Sequence, residues 1–161
     1  MNINELNSVT PDAFGDVFEL LERFSAPYVI VSGMAVLLHG HKRPVFDLDI
    51  VIAATPDEQN RAQHALMMAG FVSTIPIPIN LVTVLRMFDQ SQREIDVFAR
   101  YHISFDQLWA DSVQIVVGER RVRVASLEHL LQAKRITGRP HGLWTLKVCW
   151  RLPRETVLRD I

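Results

Sequence analysis

Asp47 and Asp49 stand two residues apart at the head of the apolar run Ile50-Val51-Ile52. In an extended strand, side chains two apart leave the same face, so this spacing sets two carboxylates side by side. Such a pair repels itself unless a cation shares it. Mg²⁺ or Mn²⁺ suits the position, because these ions accept a few carboxylates and keep their other positions for water and phosphate oxygens. Asp-x-Asp alone often marks a solvated turn or a helix cap, but here an apolar strand follows. A third acid, Asp96, lies between Ile95 and Val97 in a later strand-like segment. An acid in that setting faces either solvent or a site. If its strand lies beside that of Asp47 and Asp49, the three acids could hold two metal ions ~3.5–4 Å apart, the arrangement of phosphoryl-transfer sites.

Phosphate-binding groups precede the acids. The run Tyr28-Val29-Ile30-Val31 ends at Ser32-Gly33, and a short helix from Met34 to His39 is expected next. Gly33 permits a sharp turn and close backbone approach, the helix start presents amides, and Ser32 adds a hydroxyl. Arg43, in the basic loop before the acids, offers a fork of donors suited to phosphate.

The flanking elements must position these residues. Thr10-Pro11 reads as an N-cap and first helical position, followed by apolar residues at helical spacing: Phe14, Val17, Phe18, Leu20, Leu21 and Phe24. The opposite face, with Asp12, Asp16, Glu19 and Glu22, reads as solvated surface. Strands are expected over 28–31 and 47–53, then a helix from Pro56 to about Met68, capped by Thr55 with Glu58 and stopped by Gly70. The prolines of Ile75-Pro76-Ile77-Pro78-Ile79 cannot donate to a ladder, so 71–80 reads as an edge or extended loop. Hairpins are expected over 81–99 and 113–125, with a short helix after Ser104 between them. Ser126 caps a helix to Ile136, and a last helix from Pro140 runs to about Leu152. The order α-β-α-β-α-β-β-α-β-β-α-α describes one α/β domain across 1–161: a mixed, twisted sheet with flanking helices, its core at about 27–125 and a C-terminal helix pair at about 126–152.

A chain of 161 residues with 48% hydrophobic and 22% charged residues can bury one ordinary core. Its net charge of −1 gives no global attraction to nucleic acid or anionic membrane, which leaves that question to local patches. Basic residues concentrate late in the chain, from Arg120 onward, and read either as solvated surface or as a patch for an RNA or an acidic partner. A lone cysteine, Cys149, excludes an internal disulfide and reads as a core residue. The stretch from Ala26 to Leu38 is interrupted by Pro27, Ser32 and Gly33 and falls short of the ~20 residues of a membrane helix. With no signal-like start, a cytoplasmic protein without membrane contact is expected. His39 and His41 find no further His or Cys to complete a zinc set.

Together these residues resemble the nucleotidyltransferase superfamily of the DNA polymerase beta type. The resemblance is to its small prokaryotic branch, which includes transferase toxins of abortive-infection and toxin-antitoxin systems. The matching stretches are Val31-Ser32-Gly33-Met34-Ala35, His39-Gly40, Arg43, Asp47-Leu48-Asp49-Ile50-Val51, Glu94-Ile95-Asp96-Val97, the segment from Ser126 to Lys134, and Gly138-Arg139-Pro140. The chain departs from the pattern twice: Ser32 stands where a Gly is commoner, and His141-Gly142-Leu143-Trp144-Thr145 replaces a Lys-Asp continuation.

The resemblance implies transfer of a nucleoside monophosphate from an NTP to a hydroxyl of an RNA, a protein or a small molecule, with an antitoxin as partner if the chain is a toxin. Asp47, Asp49 and Asp96 would hold Mg²⁺ or Mn²⁺ and carry the catalysis, while Ser32, Gly33, Arg43 and Lys134 would bind the substrate phosphates. Two other classes compete: an inactive binding or regulatory module on the same fold, and a metal-dependent nuclease using the same acids. Metal-dependent NTP affinity separates the transferase from the first, and pyrophosphate release without strand cleavage separates it from the second.

Overall fold

A computed structural model describes residues 7–137. Five α-helices and seven strands follow along them: α1 (Gly15–Arg23), β1 (Tyr28–Val31), α2 (Ser32–Leu38), β2 (Leu48–Ile52), α3 (Pro56–Met68), β3 (Val72–Ser73), β4 (Val84–Phe88), β5 (Glu94–Phe98), α4 (Phe105–Asp111), β6 (Val113–Val117), β7 (Arg120–Val124) and α5 (Leu127–Thr137). The expected last helix, with Cys149, Trp144 and Trp150, lies outside the described residues, as do Gly138-Arg139-Pro140 and the altered His141-Gly142 segment.

The strands form one mixed sheet in the order β3-β4-β5-β2-β1-β7-β6. Sequence neighbours pair antiparallel, whereas β1 with β7 and β2 with β5 pair parallel across helical crossovers. The central strands explain the apolar runs in the sequence. All four residues of β1 are buried, as are all of β2 except Asp49, so both faces of the middle of the sheet are covered. Helix α1 packs against α3, and α2 packs on β1, β2 and α5. Phe14, Phe18, Leu21, Ile30, Leu48, Ile50, Leu66 and Phe71 make the fully buried heart of the core.

Local chemistry sets the element ends. The Thr55 hydroxyl accepts the Glu58 N–H at 3.3 Å and donates to its carboxylate at 2.6 Å, anchoring α3. Gly70, at φ +94°, ends the chain's exit from that helix. Gly118, at φ +62°, supplies the left-handed residue that the two-residue β6–β7 hairpin requires.

Three expectations are refined. Thr10-Pro11 opens a 3-10 turn, Pro11–Phe14, with α1 starting only at Gly15. The proline-rich segment contributes just the two-residue edge strand β3 before a 3-10 turn at Ile79–Leu81, and β4 starts at Val84 instead of Leu81. The acidic face of α1 is not simply solvated, because the fold carries arginines to it. Arg120 reaches Glu22 at 3.1 Å and Glu19 at 3.4 Å, and Arg93 clasps Asp16 with two hydrogen bonds of 2.8 and 2.9 Å.

Arg93 ties the β4–β5 loop to the entry of α1. Its guanidinium also bonds the Asp89 carboxylate at 2.7 Å and the Ala13 carbonyl at 2.6 Å, lying over the rings of Phe14 and Phe71. Arg93→Ala strands the nearly buried Asp89 carboxylate without its cation. It should lower unfolding stability by about 3 kcal/mol. Arg93→Lys should recover only part of this, lacking the planar fork. Urea denaturation reads the change, and a variant midpoint equal to the parent's would show that the clasp contributes nothing.

Candidate active site

The site follows from strand register. Strands β2 and β5 run parallel with Asp49 opposite Asp96, and β5 pairs antiparallel with β4 so that Asp96 faces Arg86. Adjacent strands lie about 4.8 Å apart, so Asp49, Asp96 and Arg86 form one row across three strands. Two residues earlier stand Asp47, immediately before β2, and Glu94, the first residue of β5. Oxygens of Asp47, Glu94 and Asp96 lie within 4.8 Å of one another, close enough to share one cation. Asp49 completes a group of four acids beside them.

Asp47, Asp49 and Asp96 open into a cavity of about 330 Å³. Ser32, Asp47, Asp49, Arg86, Asp96, Tyr101, His102 and Lys134 supply its polar lining, and Val36, Phe98, Leu130 and Ala133 its apolar wall. Of the seven residues singled out from the sequence, Ser32, Asp47, Asp49, Asp96 and Lys134 are therefore brought together. Gly33 and Arg43 do not line this cavity but lie close to each other, and the Arg43 charge still acts on Asp47. A Cβ placed on Gly33 would lie 3.9 Å from the Arg43 guanidinium carbon and from the Val45 methyl groups, and the rest of Arg43 is exposed.

Ser32 begins α2, two residues earlier than expected, and it takes the turn that the sequence assigns to Gly33. Its φ is +60°, a left-handed value for a residue with a Cβ. Such a conformation costs on the order of 1–3 kcal/mol, a cost that a glycine at this place would escape. The serine side chain gains contacts in return, interacting with both the Asp49 carboxylate and Tyr101. At the other end of α2, His39 donates from Nε2 to the Ala125 carbonyl at 2.8 Å, and burial holds its pKa down. It is a neutral tie between α2 and the segment leading to α5.

Electrostatics mark the acids as a stressed group. Burial, followed by the charge of Asp47, pushes Asp49 up to about 7, despite the opposing pull of Ser32 and Lys134. Its Oδ1 is buried and has no hydrogen-bond partner. Burial also raises Asp47, with the Asp96 charge as the second cause, and raises Glu94. Tyr101 is pushed up to about 12 by burial and by the charge of Asp49. Arg86 holds the cluster from outside: Nε and Nη2 donate to the two Asp96 oxygens at 2.9 and 3.1 Å, and Nε lies 2.8 Å from Glu94. A buried, partnerless carboxylate oxygen beside three further acids fits a divalent cation, whose charge would relieve both the repulsion and the desolvation.

Glu94 and Arg86 are absent from the residues selected by sequence, although each leaves a trace there. Glu94-x-Asp96 repeats the spacing of Asp47-x-Asp49, so parallel pairing of the two segments puts all four acids together. Arg86 sits between Leu85 and Met87 as Asp96 sits between Ile95 and Val97. Each is a charge in an apolar strand, and the two neutralise one another.

No family model and no curated sequence matches the chain. Solved structures do. The lincosamide antibiotic adenylyltransferase LnuA, lincomycin-bound, aligns over 89% of this chain and 99% of its own at a TM-score of 0.63 and 15% identity. ANT(2")-Ia in complex with adenylyl-2"-tobramycin aligns over 90% of each chain, at 0.60 and 13%. A candidate nucleotidyltransferase from Thermotoga maritima covers 88% of this chain and 94% of its own, at 0.63 and 13%. This chain has the nucleotidyltransferase fold. The expected mixed α/β sheet with flanking helices is the architecture it shares with them.

The raised Asp49 makes a signed prediction for the cation-free protein. In the unfolded chain Asp49 releases its proton near pH 3.8, but in the folded protein only near 7. Its contribution to stability is present below about pH 4 and is lost as pH climbs towards 7. In EDTA, Asp49→Asn should gain thermal stability relative to the parent across that window and hold the gain above it. Melting profiles that stay parallel from pH 4 to 8 would mean that Asp49 carries no such strain.

Proposed function

We propose that this protein is a metal-dependent nucleotidyltransferase that moves a nucleoside monophosphate from an NTP to the hydroxyl of a small-molecule acceptor. The observation that carries this reading is the row Asp49–Asp96 on adjacent parallel strands, with Asp47 and Glu94 beside it and Ser32 at the cavity wall, within a nucleotidyltransferase fold. Asp47, Asp49 and Asp96 would hold Mg²⁺ or Mn²⁺, with Glu94 as a further oxygen donor. A bound divalent ion there would supply charge neutralisation for the triphosphate and its pyrophosphate leaving group.

The chain's own residues account for the rest. The Ser32 hydroxyl and the Lys134 ammonium, both lining the cavity, bind phosphate oxygens, and Arg43, exposed and close enough for its charge to act on Asp47, adds a further cation. Asp96 accepts the proton of the acceptor hydroxyl as that oxygen bonds to the α-phosphorus and the bond to the β-phosphate oxygen breaks. The reaction is largely positioning and electrostatics, so the rigid sheet that carries the acids is the main catalytic asset.

The acceptor class is supported by the neighbours and by the cavity. One neighbour is an adenylyltransferase for a lincosamide antibiotic, and another holds an adenylylated tobramycin. Phe98, Tyr101 and Leu130 give the cavity an apolar wall for a compact organic acceptor beside its acids. Among the described late basic residues, Arg120 is engaged by α1, and Arg123 lies over the Trp109 ring at 4.3 Å and bonds Ser112. A toxin acting on RNA or protein, with an antitoxin partner, rests on the sequence resemblance alone.

Incubation with Mg²⁺, α-labelled NTPs and separate arms of small polyhydroxyl acceptors, RNA and cell protein tests the reading. Label should move to a small molecule with release of pyrophosphate. Asp47→Asn with Asp49→Asn should abolish transfer. Loss of the several kcal/mol that a metal contributes is on the order of 100- to 1,000-fold in rate. Label on RNA or protein only would replace the acceptor class, and a doubly substituted protein as active as the parent would remove the acids from the mechanism.

A further inference from the structure

Arg86 has a position that neither structure maintenance nor phosphate binding alone explains. Its side chain is 57% exposed at the rim of the cavity, yet its guanidinium reaches inward to Asp96, whose side chain is only 11% exposed, and to Glu94. Asp96 is gripped through both oxygens. Two of the three acids whose oxygens lie close enough to share a cation are thus already occupied by a cation that the chain itself supplies. The third, Asp47, lies near enough for its charge to act on Arg86 as well. Asp49, in contrast, is left with its partnerless buried oxygen.

A monovalent guanidinium and a divalent ion compete for the same carboxylates, since each repels the other at these separations. The two differ in reach. Arg86 is on an exposed, flexible stem whose head can leave the cluster at little packing cost and remain beside the cavity, where phosphates would lie. Resting on the metal-dependent transferase reading above, we propose that Arg86 is an exchangeable counter-cation: it neutralises Asp96 and Glu94 in the cation-free protein, yields them to the divalent ion, and then pairs with the phosphates of the nucleotide. In this role Arg86 is a positioning residue. It keeps the acids from repelling one another before loading, and it couples ion binding to nucleotide binding because each event offers it a new partner or takes one away.

The exchange predicts effects of opposite sign for one substitution. Arg86→Gln removes the competitor, so Mn²⁺ alone should bind roughly tenfold more tightly, as read by the electron paramagnetic resonance of free Mn²⁺. With saturating Mn²⁺, a non-hydrolysable ATP analogue should bind the same variant roughly tenfold more weakly by calorimetry. Arg86→Lys, which keeps a charge without the fork, should fall between on both measurements. A merely structural arginine would weaken both together. Unchanged or weaker Mn²⁺ binding in Arg86→Gln, or unchanged nucleotide binding, overturns the exchange while leaving the transferase reading intact. Absence of Mn²⁺ binding by the parent protein overturns both. Thermal unfolding in EDTA, where Arg86→Gln should melt below the parent and regain the difference on adding Mn²⁺, separates the exchange from a simple folding defect.

Discussion

The pairing of β2 with β5 is the contact on which the rest depends. Parallel register sets Asp49 against Asp96, and the two-residue period of the strands then brings Asp47 and Glu94 to the same face. No loop has to be shaped to gather these acids. Hydrogen bonding between two buried strands does it, and the apolar residues that alternate with them, Leu48, Ile50, Ile95 and Val97, anchor both strands from the other side. A register slip of one residue would turn the acids into the core and the isoleucines into the cavity, so the same hydrophobic pattern that stabilises the sheet also fixes the site.

Concentrating carboxylates at the end of a buried strand pair is unfavourable, and the surroundings show how the fold accommodates it. Arg86 and Lys134 approach from different elements, β4 and α5, each contributing positive charge. Asp49 meets the problem differently, holding its proton to about pH 7 in the cation-free protein. Ser32 adopts a left-handed backbone to keep its hydroxyl near Asp49 and Tyr101. The strained Ser32 backbone and the repulsion among the acids thus meet in one cavity. Conflict between local preference and global fold is expected where a ligand has shaped the sequence.

Much of this was accessible to sequence reasoning, for identifiable reasons. The apolar runs of β1 and β2, the cap at Thr55, the stop at Gly70 and the two-residue turn at Gly118 are governed by local chemistry, and each element lies within a few residues of its expected place. The positions of Asp47, Asp49 and Asp96 follow from a charge interrupting an apolar strand. Three features depend on tertiary context and could not be read locally. Arg86 needs the β4–β5 register to be seen as the partner of Asp96. The ion pairs of α1 with Arg93 and Arg120 join residues far apart in sequence. The left-handed turn falls on Ser32 because of where β1 ends, although the sequence offers a glycine one residue later. Arg43, chosen for its charge and nearness to the acids, lies beside Gly33 and outside the cavity lining, with its charge still acting on Asp47.

On the proposed reading, the four acids form a cation site against which a triphosphate lies. A crystal structure of the protein with Mn²⁺ and a non-hydrolysable NTP, with the ion located by its anomalous scattering, tests it most directly. Mn²⁺ should be bound by oxygens of Asp47, Asp49 and Asp96, with Glu94 beside them and phosphates reaching Ser32 and Lys134. Anomalous density elsewhere, or a nucleotide bound away from these strands, would contradict it.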